Sequence, residues 1–366
     1  MPSFPITASG RVLLLSAVDI SAPPGGRAML SRTNLLVLRD LLGDRLVHIR
    51  PPRSTSRPRD AWRGWVDGID AALIADLVAC IDAEGITQVF VDGSNYGAAV
   101  AAVKRARPRV RVITFFHNVE ARFFWGAMRT RRTVKSLAVL VANWLAEKMA
   151  VRSSDLLVTL SYRDSAGLRR LYGRGADAVA PIVLEDRAAP TPPAPAIPGG
   201  YLLFVGGGFY ANIAGIRWFA QEVAPRINLP VKVVGRAMDE LASAFDAIGN
   251  VELVGAADDL APWYAGATLV IAPIFDGSGM KTKVAEALMF GKRFIGTPEA
   301  LSGYAEDVIA ANRCCPDAGA FVAAIHELSS QNLPGWDADM RALYERDHSP
   351  AAARGRMAAL LGLAVA

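Results

Sequence analysis

Short apolar runs alternate with longer segments of helical spacing along the first half of the chain. Residues 11–16 form the first run, whose uninterrupted apolar residues are typical of a strand buried in a parallel sheet. The pattern predicts further strands at 47–49, 88–91, 111–116 and 155–160, and helices at 28–42, 65–83, 96–106 and 137–149. Such alternation predicts an α/β fold with a parallel sheet and right-handed crossovers.

A second alternation begins after residue 200. It predicts strands at 201–205, 231–236, 251–255, 269–272 and 294–296, and helices at 213–224, 281–290 and 318–328. Residues 186–200 separate the two halves, contain five prolines and lack apolar periodicity, as expected of a linker. A chain of 366 residues also exceeds what one hydrophobic core usually serves.

The sequence therefore predicts two Rossmann-like domains that face each other across a cleft. We expect the N-terminal domain over residues 1–185 and the C-terminal domain over 201–345, joined by the linker at 186–200. Residues 346–366 are rich in Ala and Leu, and we expect a helical tail that packs back on the N-terminal domain.

The segment 271–298 reads as strand, glycine-rich loop, helix and strand. The loop 276–279 contains two glycines and can present successive backbone N–H groups. Lys281 and Lys283 fall in the predicted first turn of the helix, where a helix N-terminus favours an anion. Glu286 lies further along and can accept hydrogen bonds from sugar hydroxyls. This stretch predicts a site for a nucleotide sugar.

Three consecutive glycines, residues 206–208, follow the first predicted strand of the second half. Glycines at such a strand end allow close approach of a ligand to the backbone. The spacing does not match G-x-G-x-x-G, and no clear acidic residue follows about 20 positions later. A dinucleotide-binding domain is therefore disfavoured.

His117 and Asn118 directly follow the predicted strand 111–116. Ligands of open parallel sheets bind beyond the carboxyl ends of the strands, so this polar pair is a candidate site. An ordinary turn is the alternative, because Asn favours turns and single histidines are often structural. The position alone leaves both interpretations open.

The two halves of the chain differ in charge. Residues 1–185 carry 26 Lys and Arg against 16 Asp and Glu, a net +10, whereas residues 186–366 carry 14 against 19, a net −5. A basic half suggests an anionic partner or surface on that side, and plain surface variation is the alternative. No feature indicates a nucleic-acid partner.

Aromatic residues stand beside a basic cluster in this first half. Phe123, Phe124 and Trp125 precede the basic residues Arg129, Arg131, Arg132 and Lys135. The combination suits a membrane interface or an anionic acceptor, and a helix with a buried aromatic face is the alternative.

Cysteines and hydropathy indicate the expected compartment. The three cysteines, Cys80, Cys314 and Cys315, are odd in number and lack zinc spacing, which favours a reducing environment. The N-terminus lacks a signal-peptide pattern, and the apolar run 137–146 is too short to span a bilayer. We expect a cytoplasmic protein, with peripheral contact at the inner face of the membrane as an open alternative.

The order of motifs resembles the GT-B glycosyltransferases, and within them the retaining group called family 4. The motifs of the second half are Phe204-Val205-Gly206 with Asn212 and Trp218-Phe219, Val234-Gly235-Arg236, Val254-Gly255, Ala272-Pro273, the GSGMKTK segment 277–283, and Glu286-Ala287-Leu288 with Gly291. Those of the first half are Gly25-Gly26, His117-Asn118-Val119-Glu120, and Asp155 with Thr159-Leu160-Ser161. Their order and spacing together carry the resemblance.

The resemblance implies a nucleotide-diphosphate sugar on the C-terminal domain and an acceptor on the N-terminal domain. The residues expected near the nucleotide sugar are Gly25, Gly26, Gly207, Arg236, Asp276, Gly277, Ser278, Gly279, Met280, Lys281, Thr282, Lys283 and Glu286. Those expected near the acceptor are His117, Asn118 and Arg122, and the implied catalytic residues are His117, Lys281 and Glu286. Glu286 matches the second glutamate of the E-x7-E motif, which is expected on the ribose.

The chain departs from the family pattern at one position of this motif. The first glutamate of E-x7-E would fall at Ser278, and the nearby Asp276 is a candidate replacement. The cations Arg236, Lys281 and Lys283 remain as the expected partners of the diphosphate. Fixed cations and helix N–H groups can stabilise a departing diphosphate without a metal, so neither a metal nor another cofactor is expected.

The resulting hypothesis is a retaining hexosyltransferase. It would move a hexose from a UDP- or GDP-linked donor to a glycan or lipid-linked acceptor, in bacterial polysaccharide biosynthesis. A GT-B sugar-nucleotide epimerase is one alternative, and it would act on one nucleotide sugar without an acceptor. A non-catalytic protein that binds an anionic glycan or lipid is another, and it would release no nucleotide diphosphate.

Overall fold

The computed structural model describes residues 10–19, 26–52, 58–130, 132–188, 200–238, 241–246, 248–277, 279–331 and 333–363. Two compact units are present, and they interleave in sequence. One comprises Met1–Pro181 and Pro350–Ala366, and the other comprises Ile182–Ser349. The last helix of the chain thus belongs to the N-terminal unit, where Arg354 Nε donates to Asp40 Oδ2 at 2.6 Å.

The described residues of the N-terminal unit alternate strand and helix. Its strands are β1 (Arg11–Leu15), β2 (Leu46–Ile49), β3 (Ile86–Asp92), β4 (Arg111–Phe116), β5 (Leu156–Thr159) and β6 (Ala178–Val179). Its helices are α1 (Gly26–Leu42), α2 (Pro58–Ala61), α3 (Ala71–Ala83), α4 (Gly97–Ala106), α5 (Glu120–Thr130), α6 (Val134–Ser153), α7 (Tyr162–Tyr172) and, from the C-terminus of the chain, α15 (Pro350–Leu361).

The strands of this unit form a parallel sheet in the order β2-β1-β3-β4-β5-β6. The apolar runs of β1, β3 and β4 are buried because helices cover both faces of a parallel sheet. One helix, α3, packs Leu73, Leu77 and Ile81 into this core, one turn apart along its buried face.

The described residues of the C-terminal unit repeat the architecture. Its strands are β7 (Tyr201–Val205), β8 (Val231–Val234), β9 (Val251–Gly255), β10 (Ala267–Ala272), β11 (Phe294–Gly296) and β12 (Arg313–Cys314). Its helices are α8 (Tyr210–Glu222), α9 (Ala242–Asp246), α10 (Ala261–Gly266), α11 (Thr282–Met289), α12 (Glu306–Ala310), α13 (Ala318–Ser330) and α14 (Ala338–Asp347). The parallel sheet has the order β12-β11-β10-β7-β8-β9. Its core joins β7, β8 and β10 to the aromatic residues Phe219 and Phe321.

The helix predicted from residue 65 begins later, at Ala71. Asp70 determines where the helix begins, because its side chain accepts the Leu73 N–H at 2.8 Å and so forms the N-cap. Just before it, Asp67 and Gly68 have left-handed φ angles of 49° and 83°. A Cβ at residue 68 would lie 2.1 Å from the carbonyl oxygen of Pro52, so only glycine fits this turn.

No helix in the described part of the chain is long and apolar enough to cross a membrane. The longest of them, α6, carries both apolar and charged residues over its 20 positions.

Candidate functional site

The C-terminal sheet has a topological switch point between β7 and β10. Strand β7 pairs with β8 on one side and with β10 on the other, so the chain leaves β7 and β10 in opposite directions across the sheet. Such a divergence opens a crevice at the carboxyl ends of the strands, where ligands bind in this class of sheet. The glycine cluster 206–208 follows β7, and the loop 273–281 follows β10.

Gly208 of the cluster and Gly235 of the loop that follows β8 are both required by the close packing of these two loops. A Cβ at Gly235 would lie 1.7 Å from the carbonyl oxygen of Gly206, and a Cβ at Gly208 would lie 2.0 Å from that of Ala237. Gly208 N also donates to Arg236 O at 2.8 Å. Gly207 is less crowded, since its nearest neighbour would be Arg236 O at 3.6 Å. The close packing brings the two loops together at the switch point.

Lys283 is a buried cation beneath this glycine loop. Its Nζ donates to Asn212 Oδ1 at 2.7 Å and lies 4.2 Å from the centre of the Phe204 ring. A Cβ at Gly206 would lie 3.1 Å from the same Nζ, which shows how near the ammonium is to the loop backbone. Lys283 is 7% exposed, and no carboxylate forms an ion pair with it among the residues that the structure describes.

Burial lowers the pKa of Lys283 to about 7, although the nearby charge of Glu286 opposes the shift. A buried ammonium whose hydrogen-bond partner is a neutral amide is costly. An anion at the switch point would offset that cost, so the arrangement favours a negatively charged ligand.

Lys281 lies one residue before α11 and has an extended backbone, so the helix begins one residue later than predicted. Its Nζ donates to Glu299 Oε1 and to Gly279 O, both at 3.0 Å. The hydroxyl of Tyr304 donates to the carbonyl oxygen of Lys281 at 2.7 Å and fixes the backbone there. Lys281 is therefore already paired with a carboxylate, in contrast to Lys283.

Glu286 projects from α11 and is largely buried. Arg187 Nη2 lies 2.5 Å from Glu286 Oε1, and the Tyr264 hydroxyl lies 3.4 Å from Oε2. Tyr264 is held by stacking on Phe290, with ring centres 4.4 Å apart. Burial raises the pKa of Glu286, and the charge of Arg187 together with its hydrogen bond opposes the rise.

Arg187 was not predicted from the sequence. It belongs to the proline-rich stretch that the sequence assigns to a linker, where a single arginine carries no functional signal. Its guanidinium occupies the carboxylate oxygen that a sugar hydroxyl would need, so a ligand of Glu286 must share or displace it.

The loop between β10 and α11 is shaped by glycine and by Asp276. Gly277 and Gly279 have φ angles of 126° and 69°, which side-chain-bearing residues rarely adopt. Asp276 Oδ1 accepts the Gly277 N–H at 2.7 Å, and its Oδ2 accepts the Tyr210 hydroxyl at 3.2 Å. Ser278, the position of the missing first glutamate, lies outside the described residues.

The remaining predicted donor residues differ in position. Met280 is buried, and Thr282 is the first residue of α11. The Arg236 side chain is 77% exposed, and its nearest carboxylate oxygen is that of Asp258 at 3.8 Å. In the N-terminal unit, Gly26 is the first residue of α1, and Gly25 lies outside the described residues.

The N-terminal sheet has its own switch point, between β1 and β3, and a polar network occupies it. Asp92 ends β3 and is fully buried. It accepts hydrogen bonds from Ser16 Oγ at 2.9 Å, from Asn34 Nδ2 at 2.8 Å and from His117 Nε2 at 3.0 Å. His117 was predicted from the sequence, whereas Asp92, Ser16 and Asn34 were not. The sequence signal for Asp92 is an acidic residue at the end of a buried apolar strand.

The network determines the charge of Asp92 and the orientation of His117. Burial by itself would raise the pKa of Asp92, but the imidazole of His117 and hydrogen bonds from His117, Ser31 and Asn34 hold it well below the ordinary range. With Nε2 engaged by Asp92, His117 Nδ1 is buried and has no hydrogen-bond partner among the described residues. His117 therefore keeps one ring nitrogen for a ligand.

The other two predicted acceptor residues lie beyond His117 on the same connection. Asn118 directly follows it and is partly buried, whereas Arg122 is exposed on the first turn of α5. Arg122 lines a separate cavity with Trp125, so the three residues do not form one cluster.

In the described part of the chain, no group of three or more His, Cys, Asp or Glu side chains comes together in a way that could hold a metal ion. Asp337 and Asp339 have Asp-x-Asp spacing, but Asp337 caps α14 and accepts a hydrogen bond from Arg293 Nε at 2.8 Å. That pair therefore has a structural role.

Comparison with known proteins identifies the class of the C-terminal unit. Residues 199–331 match the family model described as Glycosyl transferases group 1. The resemblance inferred from the sequence is confirmed, and the chain carries a transferase domain of this family. No curated protein sequence matches the chain.

Solved structures match nearly the whole chain at low sequence identity. Sucrose-phosphate synthase from Thermosynechococcus elongatus is 15% identical with a TM-score of 0.69, over 96% of this chain and 98% of that chain. Anabaena HepE in complex with UDP-glucose is 14% identical with a TM-score of 0.65, over 96% and 99%. The lipopolysaccharide outer core galactosyltransferase WaaB is 10% identical with a TM-score of 0.66, over 96% and 99%. The predicted GT-B fold is thereby confirmed.

Proposed function

We propose that the protein is a retaining glycosyltransferase that moves a hexose from a UDP- or GDP-linked donor to a glycan or lipid-linked acceptor in bacterial polysaccharide biosynthesis. The observation that carries the proposal is Lys283, a buried cation at the C-terminal switch point whose hydrogen-bond partner is neutral. The similar fold of HepE, which was solved with UDP-glucose, supports a nucleotide-sugar donor.

In the proposed donor complex, the diphosphate binds near Lys283 and the loop that precedes α11. Lys283 supplies charge, and the glycine-rich backbone permits close approach. Glu286 accepts charge-assisted hydrogen bonds from two hydroxyl groups of the ribose after Arg187 has moved away from Glu286 Oε1. Lys281 adds a second cation, which Glu299 holds in place before the donor arrives.

In the proposed reaction, the bond between the anomeric carbon and the diphosphate oxygen breaks. The acceptor oxygen bonds to the same face of that carbon, and its proton passes to the departing diphosphate oxygen. Lys281 and Lys283 stabilise the negative charge that develops on this leaving group, so we expect transfer to continue without added metal and in the presence of a chelator.

We assign the acceptor to the N-terminal unit. His117 Nδ1 can hydrogen bond to an acceptor hydroxyl, because Asp92 engages the other ring nitrogen and fixes the ring. Asn118 and Arg122 are the further proposed contacts.

The exposed apolar side chains Trp125, Val134 and Leu137 beside basic residues support peripheral contact with an anionic membrane surface at the inner face. Flotation with anionic vesicles tests this contact, and a protein that stays at the bottom at low salt contradicts it.

The donor assignment is tested by transfer assays on two variants, after a thermal-shift screen of nucleotide diphosphates has identified the donor base. We expect Glu286→Ala and Lys281→Ala to abolish release of nucleotide diphosphate while the variants remain folded. Glu306→Ala, an exposed glutamate of α12, serves as the matched control and should keep full activity. Full turnover by both site variants would contradict the assignment.

The same assay separates the alternatives. Conversion of one nucleotide sugar to its epimer without an acceptor would favour the epimerase. Ligand binding without release of nucleotide diphosphate, under all donor and acceptor combinations, would favour a non-catalytic binding protein.

A further inference from the structure

The N-terminal unit contains a cavity of about 660 Å³ lined by α5, α6 and α7. This volume is within the usual range of small-molecule sites, which is about 300–1,000 Å³. Its walls are mainly apolar and aromatic, with Val119, Trp125, Leu140, Trp144 and Leu171 among the lining residues. Trp125 is 53% exposed, so one wall of the cavity reaches solvent.

Two cations border this apolar space. Arg122 of α5 and Arg170 of α7 both line the cavity, and both are exposed. Neither guanidinium forms an ion pair or a hydrogen bond within the part of the chain that the structure describes. An apolar cavity bordered by two unneutralised guanidinium groups is complementary to a molecule with an apolar chain and an anionic head.

One buried carboxylate fixes the three helices that form the walls. Glu147 of α6 accepts the backbone N–H groups of Glu120 at 2.8 Å and of Ala121 at 3.2 Å, at the start of α5. It also accepts the hydroxyl of Tyr172, the last residue of α7, at 2.7 Å. These hydrogen bonds join α5, α6 and α7, the three helices that line the cavity.

We infer that this cavity binds the aliphatic chain of a phosphate-headed lipid, with Arg122 and Arg170 on the phosphate. The inference deepens the proposed function and rests on it in one respect, since it identifies the acceptor as lipid-linked. The chain fills the space between Trp125, Trp144 and Leu171, and the head group remains at the exposed rim.

Direct binding tests the inference without a transfer assay. Decyl phosphate, kept below its micelle concentration, is titrated into the protein by calorimetry. Decyl maltoside has the same chain and a neutral head, and inorganic phosphate has the charge without the chain. We expect decyl phosphate to bind at least tenfold more tightly than either. Equal affinity for one of the two reference compounds would overturn the inference.

Variants of the cavity identify the site of binding. Arg122→Ala combined with Arg170→Ala should weaken decyl phosphate at least tenfold, whereas Arg129→Ala, an exposed arginine of the same helix α5, should not. Leu171→Trp should block the chain; its side chain is 45% exposed, so the change leaves the core intact. Unchanged affinity in Leu171→Trp would place the ligand elsewhere and overturn the inference.

A parallel measurement separates this inference from the donor proposal. UDP affinity of the cavity variants should equal that of the wild type, because Lys281, Lys283 and Glu286 belong to the other unit. Binding of phosphatidylglycerol vesicles without binding of decyl phosphate would indicate a membrane surface contact and would overturn a chain-binding cavity. Loss of decyl phosphate binding with intact UDP binding leaves the donor proposal standing.

Discussion

The two switch points of this protein share a topology and differ in buried charge. In the N-terminal unit, β1 and β3 diverge around Asp92, a carboxylate that Ser16, Asn34 and His117 surround with hydrogen bonds. In the C-terminal unit, β7 and β10 diverge around Lys283, an ammonium whose hydrogen-bond partner is the neutral amide of Asn212.

The difference shows that one fold can hold opposite buried charges at equivalent positions. A parallel sheet brings polar groups to the carboxyl edge of its strands, and the residues at those positions decide which charge the ligand carries. Asp92 stays ionised because its pKa is held low, and this negative charge would repel a phosphate, so its site suits hydroxyl groups. Lys283 retains positive charge beside a glycine-rich loop, so its site suits an anion.

Removal of the Lys283 cation should have the largest effect on UDP affinity. Lys283→Met should weaken UDP binding by about 2–5 kcal/mol, thirtyfold or more, because the diphosphate loses a buried charge partner. Thermal stability of the unliganded protein should hold or rise, since burial disfavours the ammonium. Calorimetric titration with UDP measures the effect. Lys232→Met, which removes a lysine of β8 that pairs with Glu252 of β9, is the control and should bind UDP normally.

The corresponding change in the N-terminal unit should act on stability and leave the donor site unaffected. Asp92→Asn should lower the free energy of unfolding by about 3 kcal/mol, because it breaks a buried hydrogen-bonded pair with His117. UDP affinity should not change. Denaturant unfolding gives the measurement, and a loss of UDP binding in this variant would mean that the two sites are not independent.

The pH dependence of that effect follows from the direction of the Asp92 shift. The pKa of Asp92 is lower in the folded state than its unfolded value of about 3.9. Its contribution to the free energy of unfolding is therefore complete above the unfolded pKa and is lost as pH falls through the folded pKa. The difference between wild type and Asp92→Asn should therefore stay constant between about pH 5 and pH 8. A difference that grows steadily across this range would contradict the assignment.

A smaller effect is expected at the contact between Arg187 and Glu286. Arg187 lowers the pKa of Glu286 against the effect of burial, so Arg187→Ala should raise that pKa further. UDP affinity should then begin to fall at a higher pH than in the wild type, because a protonated Glu286 loses its charge-assisted bonds. Because the Arg187 side chain is half-exposed, solvent screening limits the ion pair with Glu286 to about 0.2–1 kcal/mol. Titrations from pH 5 to 8 test this, with Arg226→Ala as the matched control.

The smallest predicted effect is proton uptake by Lys283. Its pKa of about 7 should rise when a diphosphate binds, so binding near pH 7.5 should take up less than one proton. Calorimetry in buffers of different ionisation enthalpy measures this uptake, and Lys283→Met should abolish it. Proton release on binding would contradict this prediction.

Without ligand, Lys283 should make the free energy of unfolding rise with pH between about 7 and 10, since the unfolded state binds more protons there.

Much of the fold and part of the candidate site could be predicted from the sequence. The spacing of Lys281, Lys283 and Glu286 around a glycine-rich loop indicated the anion site, because these residues lie within one local segment. Helix limits were less accurate, as at Asp70, where a side-chain cap stops a pattern that periodicity alone would extend. Arg187 had no local signal, because its partner Glu286 is 99 residues away.

The local sequence was sufficient to predict the alternation of strands and helices, the proline-rich break and a candidate phosphate-binding loop. These features depend on neighbouring residues, whose spacing and backbone preferences are local properties. Which buried charges have partners, as at Asp92 and Lys283, depends on the tertiary structure. The partners of Asp92 include Ser16, 76 residues away, and the partner of Lys283 is Asn212, 71 residues away. Strand order brings such distant side chains together, and the burial and hydrogen bonds that result determine which switch point retains a charge for a ligand.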